Sequence, residues 1–482
     1  MARKVFISVL GATFYEECVY GVVEDKKDED TVQKEKNDLF RSTKTRFVQQ
    51  ATLEYLDAKS WEPTDIAYIF TTEKAKKDNW NESITERERY KDGPMVPYTG
   101  LQKILTEMGL PFTPESEDIP DGNDEAEMWQ IFKRIYNKIE DGDELYFDLT
   151  HSFRYIPMLA LVLGNYSKFL KNIKVCSITY GNYEVSKNRE DKIAPIIDLM
   201  PLTILQDWTY AAADLIRNGN SDRLRELSNN SYLTQMLRLK EPERKLNNNE
   251  SIAEGNIKNY IEALHKMLMN LRLCQLPQIL NGETISEVKT KFQYAQKQLN
   301  TEINDNPTNA ISIIPPILNK IKDTFKDFSS NEDIKNGYYA ANWCYLHQLY
   351  QQAITILHEN ITTHLCQYLS INHRNYNSRK AASDFLRRGG FNQDDWNKVD
   401  PGDINSTNRN KNKVAVKNFI SKFKDIFEWT TEKRNSYDHA SMSMKYDVEL
   451  RKDKEALFSA SDVEKLGNII SEVLKITDKM IK

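Results

Sequence analysis

Hydrophobic residues in the first 200 positions alternate between short unbroken runs and longer stretches with helical spacing. The short runs predict buried β-strands at Val5–Leu10, Ile66–Phe70, Glu144–Leu149 and Lys174–Thr179. Apolar residues that recur every three or four positions predict helices at Thr43–Leu56, Leu101–Met108, Glu127–Ile139 and Phe153–Leu170. Strands that alternate with helices in this way predict a Rossmann-like α/β domain with a parallel-rich sheet and helices on both faces.

Beyond residue 204 the strand pattern nearly disappears and helical spacing dominates. The predicted helices lie at Leu205–Arg217, Ile257–Leu273, Ile285–Leu299, Ile311–Phe325, Tyr338–Leu369, Val414–Glu432 and Ser461–Ile481. The C-terminal half is therefore predicted to be all-α. We expect three regions: an α/β domain over 1–203, a helical connecting region over 204–334 and a helical domain over 335–482.

Composition limits the classes of protein that this chain can be. Of 482 residues, 40% are hydrophobic and 28% charged, which is ordinary for a folded protein. The net charge of −5 excludes a general basic coat, so any contact with nucleic acid must be local. The five cysteines lie far apart with no CxxC pair, and no segment approaches the roughly 18 apolar residues of a membrane span. These features predict a cytoplasmic protein without a disulfide framework or a structural zinc site.

Small and polar residues follow three of the predicted strands. They are Leu10-Gly11-Ala12-Thr13, then Thr72 and Glu73, then Asp148, Thr150, His151, Ser152 and Arg154. In an open parallel sheet, ligands bind at the carboxyl ends of strands, where helix N-termini and an arginine can hold a phosphate. Neither GxGxxG nor GxxxxGK[ST] is present, which argues against a dinucleotide or P-loop site. Helix capping by Thr150 and Ser152 is the structural alternative to a nucleotide site.

A second constellation stands near the C-terminal end of the helix over Val414–Glu432. Arg434, Asn435 and His439 form an RN-x3-H motif, in which Asn435 and His439 share a helix face. A histidine can move the proton of a 2′-hydroxyl, a guanidinium can neutralise a phosphate, and an amide can orient either group. This trio suits RNA cleavage without a metal. The alternative is a helix end at which Arg434 and Asp438 form an ion pair in water.

A basic segment earlier in the C-terminal half supports an RNA substrate. Aromatic residues are interleaved with its basic residues Arg374, Arg379, Lys380, Arg387 and Arg388. Such side chains can hold phosphates and stack bases, although a solvated helix face is the better explanation of any one of them.

The two ends of the chain together resemble a known family. An α/β domain with LGATFY and DLTHSFR loops, followed by helices with an RN-x3-H motif, is similar to the CARF–HEPN ribonucleases of type III CRISPR systems. The DLTHSFR stretch is close to the D-x-T-H-[GS]-x-R pattern of CARF sensor domains, with Ser152 where many relatives have Gly. The resemblance places CARF at about 1–200 and HEPN at about 335–482.

The resemblance implies an endoribonuclease of antiviral defence that a cyclic oligoadenylate activates allosterically. It implies that a CARF dimer binds the ring and that a HEPN dimer cleaves single-stranded RNA without a metal or other cofactor, leaving 2′,3′-cyclic phosphate and 5′-hydroxyl ends. By matching position, the ring-binding residues would be Leu10, Gly11, Ala12, Thr13, Thr72, Glu73, Asp148, Thr150, His151, Ser152 and Arg154. The catalytic residues would be Arg434, Asn435 and His439 of both protomers. Cyclic tetra-adenylate is favoured because it is the more common activator among similar proteins.

Two other functions remain open at this stage. One is a sensor or nucleic-acid-binding module without catalysis, and the other is a constitutive HEPN toxin-like RNase with a structural N-terminal domain. The sequence leaves open the ring size, the base preference at the cut, any degradation of the activator, assembly beyond a dimer and the role of residues 204–334.

Overall fold

The computed structural model describes residues 2–23, 40–151, 155–229, 252–305, 310–390, 413–438, 444–447, 452–455 and 458–480. Within these ranges, residues up to Gln206 form one compact unit, and those from Asp207 onward form a second. The predicted connecting region of 204–334 therefore shares, from Asp207 on, a unit with the C-terminal helices. None of the helices in these ranges is long and apolar enough to cross a membrane.

A seven-stranded sheet forms the centre of the first unit, as far as the chain is described, with the strand order β2-β9-β8-β7-β1-β3-β6. Its strands are β1 Lys4–Leu10, β2 Val19–Gly21, β3 Ile66–Thr71, β6 Glu115–Asp118, β7 Glu144–Asp148, β8 Lys174–Gly181 and β9 Ile193–Asp198. Neighbouring strands run parallel except β8 and β9, which are antiparallel. A separate antiparallel hairpin is made of β4 Glu86–Glu88 and β5 Met95–Pro97.

The helices of the first unit cover this sheet. They are α1 Val48–Tyr55, α2 Glu73–Ala75, α3 Leu101–Glu107, α4 Glu125–Lys138, α5 Ile156–Lys171 and α6 Tyr183–Ser186, with a 3-10 turn at Ala58–Ser60 and a π-turn at Lys76–Trp80. Six of the seven β1 residues are buried, because a central strand is covered on both faces. The predicted Rossmann-like α/β domain with a parallel-rich sheet is confirmed.

The chain continues almost entirely as helices. They are α7 Met200–Asn218, α8 Asp222–Asn229, α9 Ile252–Arg272, α10 Leu276–Leu280, α11 Glu283–Asp305, α12 Ile314–Asp323, α13 Lys335–Leu346, α14 Tyr350–Tyr368, α15 Tyr376–Arg388, α16 Lys413–Asp438 and α17 Ala460–Met480, with a 3-10 turn at Ala310–Ile313. A two-stranded ribbon of β10 Met444–Asp447 and β11 Lys452–Glu455 precedes α17. The predicted all-α C-terminal half is thus confirmed, apart from this ribbon.

One predicted helical stretch is interrupted. The pattern over Tyr338–Leu369 is continuous in the sequence, but α13 ends at Leu346 and α14 begins at Tyr350. Gln348 between them has a positive φ of 61°, a conformation that breaks a right-handed helix. The break leaves α14 as a separate helix, with one side of it packed along α16.

Candidate functional site

The strand order puts a crevice at the carboxyl ends of β1 and β7. Strands β1, β3 and β6 extend to one side of the sheet, and β7, β8 and β9 to the other. Ser8 of β1 pairs with Asp148 of β7, so the chain leaves both strands at the same level. Ligands of open α/β sheets bind at such a switch point. The loops that begin at Leu10 and Leu149 therefore meet here, as their sequence positions predict.

Buried hydrogen bonds fix the end of β7. Ser8 Oγ donates to Asp148 Oδ2 over 2.7 Å, and the Thr150 hydroxyl donates to Asp148 Oδ1 over 2.5 Å. Thr150 Oγ1 also accepts from the Gly181 N–H, and Gln49 Nε2 donates to Ser8 Oγ. Burial raises the pKa of Asp148, and its bonds from Thr150 and Ser8 offset only part of that rise. Asp148 and Thr150 thus tie the end of β7 to the neighbouring strands β1 and β8.

The space around Asp148 is closed. The cavity that Ser8, Asp148 and Leu149 line has a volume of about 10 Å³, no more than one water molecule requires. A ligand at this end of the sheet would therefore lie above the loops rather than against the carboxylate of Asp148.

Asn79 and Arg87 hold the first loop by its carbonyl groups. Asn79 Nδ2 donates to Gly11 O over 2.7 Å and to Thr13 O over 2.9 Å. Arg87 donates to Ala12 O over 2.7 Å and to Thr13 O over 3.0 Å, and it also donates to Asn79 Oδ1. Tyr98 donates its hydroxyl to the same Asn79 oxygen over 2.7 Å. Three successive carbonyls are satisfied from one side, which fixes the conformation of the loop.

Two arginines enclose the aromatic pair beside this loop. Phe14 and Tyr98 have ring centroids 5.2 Å apart. The guanidinium of Arg46 lies 5.3 Å from the Phe14 ring and that of Arg87 lies 5.4 Å from the Tyr98 ring. Arg87 comes from the β4–β5 hairpin, so this hairpin ties the first loop to the rest of the unit. We call Asn79 and Arg87 with these contacts the clamp. No sequence pattern predicts it, because its partners are up to 75 positions apart.

Gly11, Tyr15 and His151 pack together between the two loops. The Tyr15 and His151 rings are stacked with centroids 4.1 Å apart, and a Cβ on Gly11 would lie 2.6 Å from the Tyr15 hydroxyl. Burial lowers the pKa of His151 to about 4, so the imidazole is neutral at pH 7. His151 Nε2 is buried and has no hydrogen-bond partner among the described residues.

The other predicted ring-binding residues divide into two groups. Thr72 and Glu73 follow β3, next to β1; the Thr72 hydroxyl caps α2 by accepting from Ala75 N over 3.2 Å, and Glu73 is exposed. Ser152 and Arg154 lie outside the described residues. Contact of any of these residues with a ligand stays a prediction.

The second candidate site lies in the helical unit, near the end of α16. Arg434 is partly buried and donates from Nη1 to Glu359 Oε1 of α14 over 2.5 Å, while Asn435 is exposed. Arg379 of α15 donates from Nη2 to Glu359 Oε2 over 2.5 Å. One carboxylate therefore joins three helices and two arginines. His439 lies outside the described residues, so the predicted trio is described only in part.

The residues of the basic segment predicted to bind RNA differ in their exposure. Arg374, Lys380, Arg387 and Arg388 are exposed, on or beside α15. Arg379 is partly buried, and both of its terminal nitrogens are engaged within the protein. The sequence pattern did not separate Arg379 from its exposed neighbours.

Comparison with known proteins identifies the first unit. Residues 5–184 match the family described as "CRISPR system endoribonuclease Csx1, CARF domain". A CRISPR-associated protein of Methanocaldococcus jannaschii is 36% identical over 112 residues, which are 23% of this chain and 17% of that relative's length. The chain therefore contains a CARF domain, and the relative that it resembles is CRISPR-associated. The chain covers less than a fifth of the length of that relative.

The match sets the site at β1 and β7 within the CARF domain, since residues 5–184 include both loops and the clamp. Glu359, Arg379 and Arg434 lie beyond the matched residues. Among the described residues of the whole chain, no group of three or more His, Cys, Asp or Glu side chains is placed to hold a metal ion.

Sequence reasoning missed Asn79, Arg87 and Glu359. Glu359 carried a weak signal, since it is the one Asp, Glu, Lys or Arg residue in the stretch ITILHENITTHLC of α14. Asn79 and Arg87 stand in a polar segment without periodicity, where nothing distinguishes them from solvent-exposed neighbours.

Proposed function

We propose that the protein is a CRISPR-associated endoribonuclease that a cyclic oligoadenylate switches on. The CARF domain would bind the ring, with cyclic tetra-adenylate as the favoured activator, and the helical unit would cleave single-stranded RNA. The observation that carries the proposal is the coexistence of a CARF domain with a fixed arginine, Arg434, in an RN-x3-H motif.

The ring would lie on the two loops, above the buried Asp148. Gly11, Ala12 and Thr13 direct their carbonyls toward Asn79 and Arg87 and away from the opposite side of the loop. The neutral His151 and the hydroxyl of Tyr15 offer polar atoms that the described residues leave without partners. Ser152 and Arg154 would complete the contacts, Arg154 by pairing with a phosphate.

The cleavage step needs no metal. The 2′-oxygen of the substrate attacks phosphorus as its proton leaves, the bond to the 5′-oxygen breaks, and that oxygen takes up a proton. His439 would move a proton, Arg434 would neutralise the charge that grows on the phosphate, and Asn435 would orient the reacting groups. The products are a 2′,3′-cyclic phosphate and a 5′-hydroxyl.

A homodimer is part of the proposal, and α5 supports it. One face of this helix bears exposed apolar side chains at Met158, Val162, Tyr166, Phe169 and Leu170. Phe169 is 86% exposed and Met158 is 72% exposed. Folded proteins seldom leave such a continuous apolar stripe in water, so a second copy of the chain would cover it.

The decisive experiment is cleavage of labelled single-stranded RNA in EDTA, with and without cyclic tetra- or hexa-adenylate. Wild type and His439→Ala are assayed together. The proposal expects cleavage by wild type with one ring size and none by the variant. Cleavage by wild type without a ring would contradict the switch and favour a constitutive RNase. Absence of cleavage with either ring would favour a sensor without catalysis.

A further inference from the structure

Glu359 is the carboxylate that two arginines of the helical unit share. Its Oε1 accepts from Arg434 and its Oε2 from Arg379, so each oxygen serves one guanidinium. The side chains of Glu359, Arg379 and Arg434 are 37%, 24% and 25% exposed. Burial alone would raise the pKa of Glu359, but Arg379 and then Arg434 outweigh that effect and lower it. The carboxylate is therefore ionised at neutral pH.

Arg379 holds the carboxylate oxygen of Glu359 that Arg434 does not contact. Its Nη1 donates to Thr363 Oγ1 over 2.8 Å and to His373 O over 3.0 Å. Its Nη2 donates to both the backbone oxygen and the side chain of Glu359. A guanidinium with this many partners has one position, so the carboxylate that it holds also has one position.

Arg434 uses only part of its donor capacity on Glu359. Its Nη1 is paired, whereas its Nε is buried without a hydrogen-bond partner among the described residues. Two positive charges and one negative charge leave the cluster with a net charge of about +1, which an RNA phosphate would complement. The planar guanidinium presents its donors in a fixed fork, so the bond to Glu359 also sets the direction of the remaining donors.

The neighbouring histidine adds no charge to this cluster. His358 is 3% exposed, stacks on Phe427 with centroids 4.3 Å apart, and its Nδ1 lies 3.1 Å from Thr430 Oγ1. Burial, followed by the charge of Arg434, lowers the pKa of His358 to about 3. His358 is therefore neutral at pH 7, and the positive charges that contact Glu359 are those of Arg379 and Arg434.

We infer that Glu359 is a positioning residue of the RNase centre, which holds Arg434 in the orientation that meets the scissile phosphate. Arg379 acts through Glu359 by fixing it, rather than by binding RNA. This inference rests on the proposed function, because it assigns a role within that reaction. Neither residue touches the reacting atoms in this scheme.

The test compares Glu359→Gln with a matched control that breaks another ion pair of α16. Lys433 stands next to Arg434 and forms a 2.9 Å ion pair with Asp462 of α17, and the two side chains are 14% and 12% exposed. Asp462→Asn therefore breaks a more buried ion pair of α16 without touching Arg434. We measure activated RNA cleavage, kcat and KM separately, activator affinity and the midpoint of unfolding for wild type, Arg434→Ala, Glu359→Gln and Asp462→Asn.

A positioning role predicts a loss of kcat of about tenfold or more in Glu359→Gln, since small misplacement of a catalytic group costs rate steeply. Activator affinity should be unchanged, and Asp462→Asn should retain kcat within about twofold, since it acts on stability alone. Equal kcat for Glu359→Gln and wild type, or equal losses in Glu359→Gln and Asp462→Asn, would overturn the inference.

Arg379→Gln provides a second variant if Glu359→Gln fails to fold. It leaves the bond between Glu359 and Arg434 but removes the guanidinium that fixes Glu359. We therefore expect a smaller loss of kcat than in Glu359→Gln. The double variant should be no slower than Glu359→Gln, because Arg379 acts only through Glu359. Additive losses would overturn that role. Failure of the proposed function looks different: wild type would be inactive with every ring, or Arg434→Ala would cleave as well as wild type.

Discussion

The two candidate sites are held together by different forces. In the CARF domain, hydrogen bonds to backbone carbonyls fix the first loop: Gly11 O and Thr13 O accept from Asn79, and Ala12 O and Thr13 O accept from Arg87. Hydroxyl groups of Ser8 and Thr150 donate to Asp148. In the helical unit, ion pairs hold the site together, because Glu359 is shared between Arg379 and Arg434. The first arrangement shapes a surface, whereas the second leaves a positive charge to be used. Under the proposed function, the first site would recognise a ligand by its shape, and the second would use its charge at an RNA phosphate.

The sharpest test of the CARF site is removal of the arginine that donates to its first loop. Arg87→Ala takes a charged donor from the carbonyls of Ala12 and Thr13 and from Asn79. Such hydrogen bonds contribute about 1.5–3 kcal/mol each, so we expect the activator to bind about tenfold to a hundredfold more weakly. Titration calorimetry with cyclic tetra-adenylate measures this change.

Arg89→Ala is the matched control for that variant. Arg89 follows the same strand β4, but it is 57% exposed and pairs with Glu16 on the surface. An exposed pair of this kind contributes little, so its affinity should stay near that of wild type. Equal affinities for Arg87→Ala and Arg89→Ala would show that the clamp does not shape the ligand loop.

A second difference between the units is where apolar surface lies. The exposed stripe of α5 belongs to the CARF domain, and Phe169→Asp places a charge at its most exposed position. Burying a phenylalanine contributes about 1.5–3 kcal/mol, so the dissociation constant of the proposed dimer should rise about tenfold to a hundredfold. Sedimentation over a concentration series measures this shift. Val185→Asp, 39% exposed on α6, is the control, and equal shifts in both variants would remove α5 from the interface.

Lowering the pH should destabilise the helical unit more than the CARF domain. The pKa of His358 lies near 3 and that of His364 near 4, both below the value of about 6.5 in an unfolded chain. Their stabilising contribution is complete above pH 6.5 and is lost as pH falls, by about 1.4 kcal/mol per pH unit for each histidine. We expect the helical unit to lose stability steadily between pH 7 and pH 5.

The CARF domain should lose less, because two of its groups act in opposite directions. His151 behaves like the other buried histidines, whereas the raised pKa of Asp148 means that protonation favours the folded state as pH falls. Calorimetry at pH 7, 6 and 5 measures which unit loses more stability as the pH falls. The variant His358→Gln identifies which unfolding transition belongs to the helical unit. A transition of the helical unit that does not move with pH would contradict this expectation.

The fold was predictable where burial imposes a pattern. Strands β1, β3, β7 and β8 are covered on both faces and read as apolar runs, but β6 has the sequence ESED and was missed. An edge strand needs no apolar pattern, because its side chains face solvent. The site followed the same rule: Gly11, Thr150 and His151 come together at neighbouring strand ends, and strand ends can be located in the sequence.

Contacts between distant segments could not be predicted from the sequence. Arg434 belongs to a recognisable motif, but Glu359 is 75 positions away, and only the packing of α14 on α16 reveals that they meet. The same holds for Arg87 and the carbonyl of Ala12. A sequence motif can identify the residues that act on a ligand. The residues that hold them in place are brought there by tertiary packing, and a single sequence does not reveal that packing.

The contact of Gly11 with Tyr15 and His151 also limits how the sequence can vary. A side chain at position 11 would occupy the space of the Tyr15 hydroxyl, which lies 2.6 Å from the site of its Cβ, and Tyr15 in turn covers the ring of His151. These three positions are therefore expected to change together during evolution: a homologue with a larger residue at position 11 should carry a smaller one at position 15. A library randomised at position 11 alone should return glycine, and one randomised at positions 11 and 15 together should return alternatives.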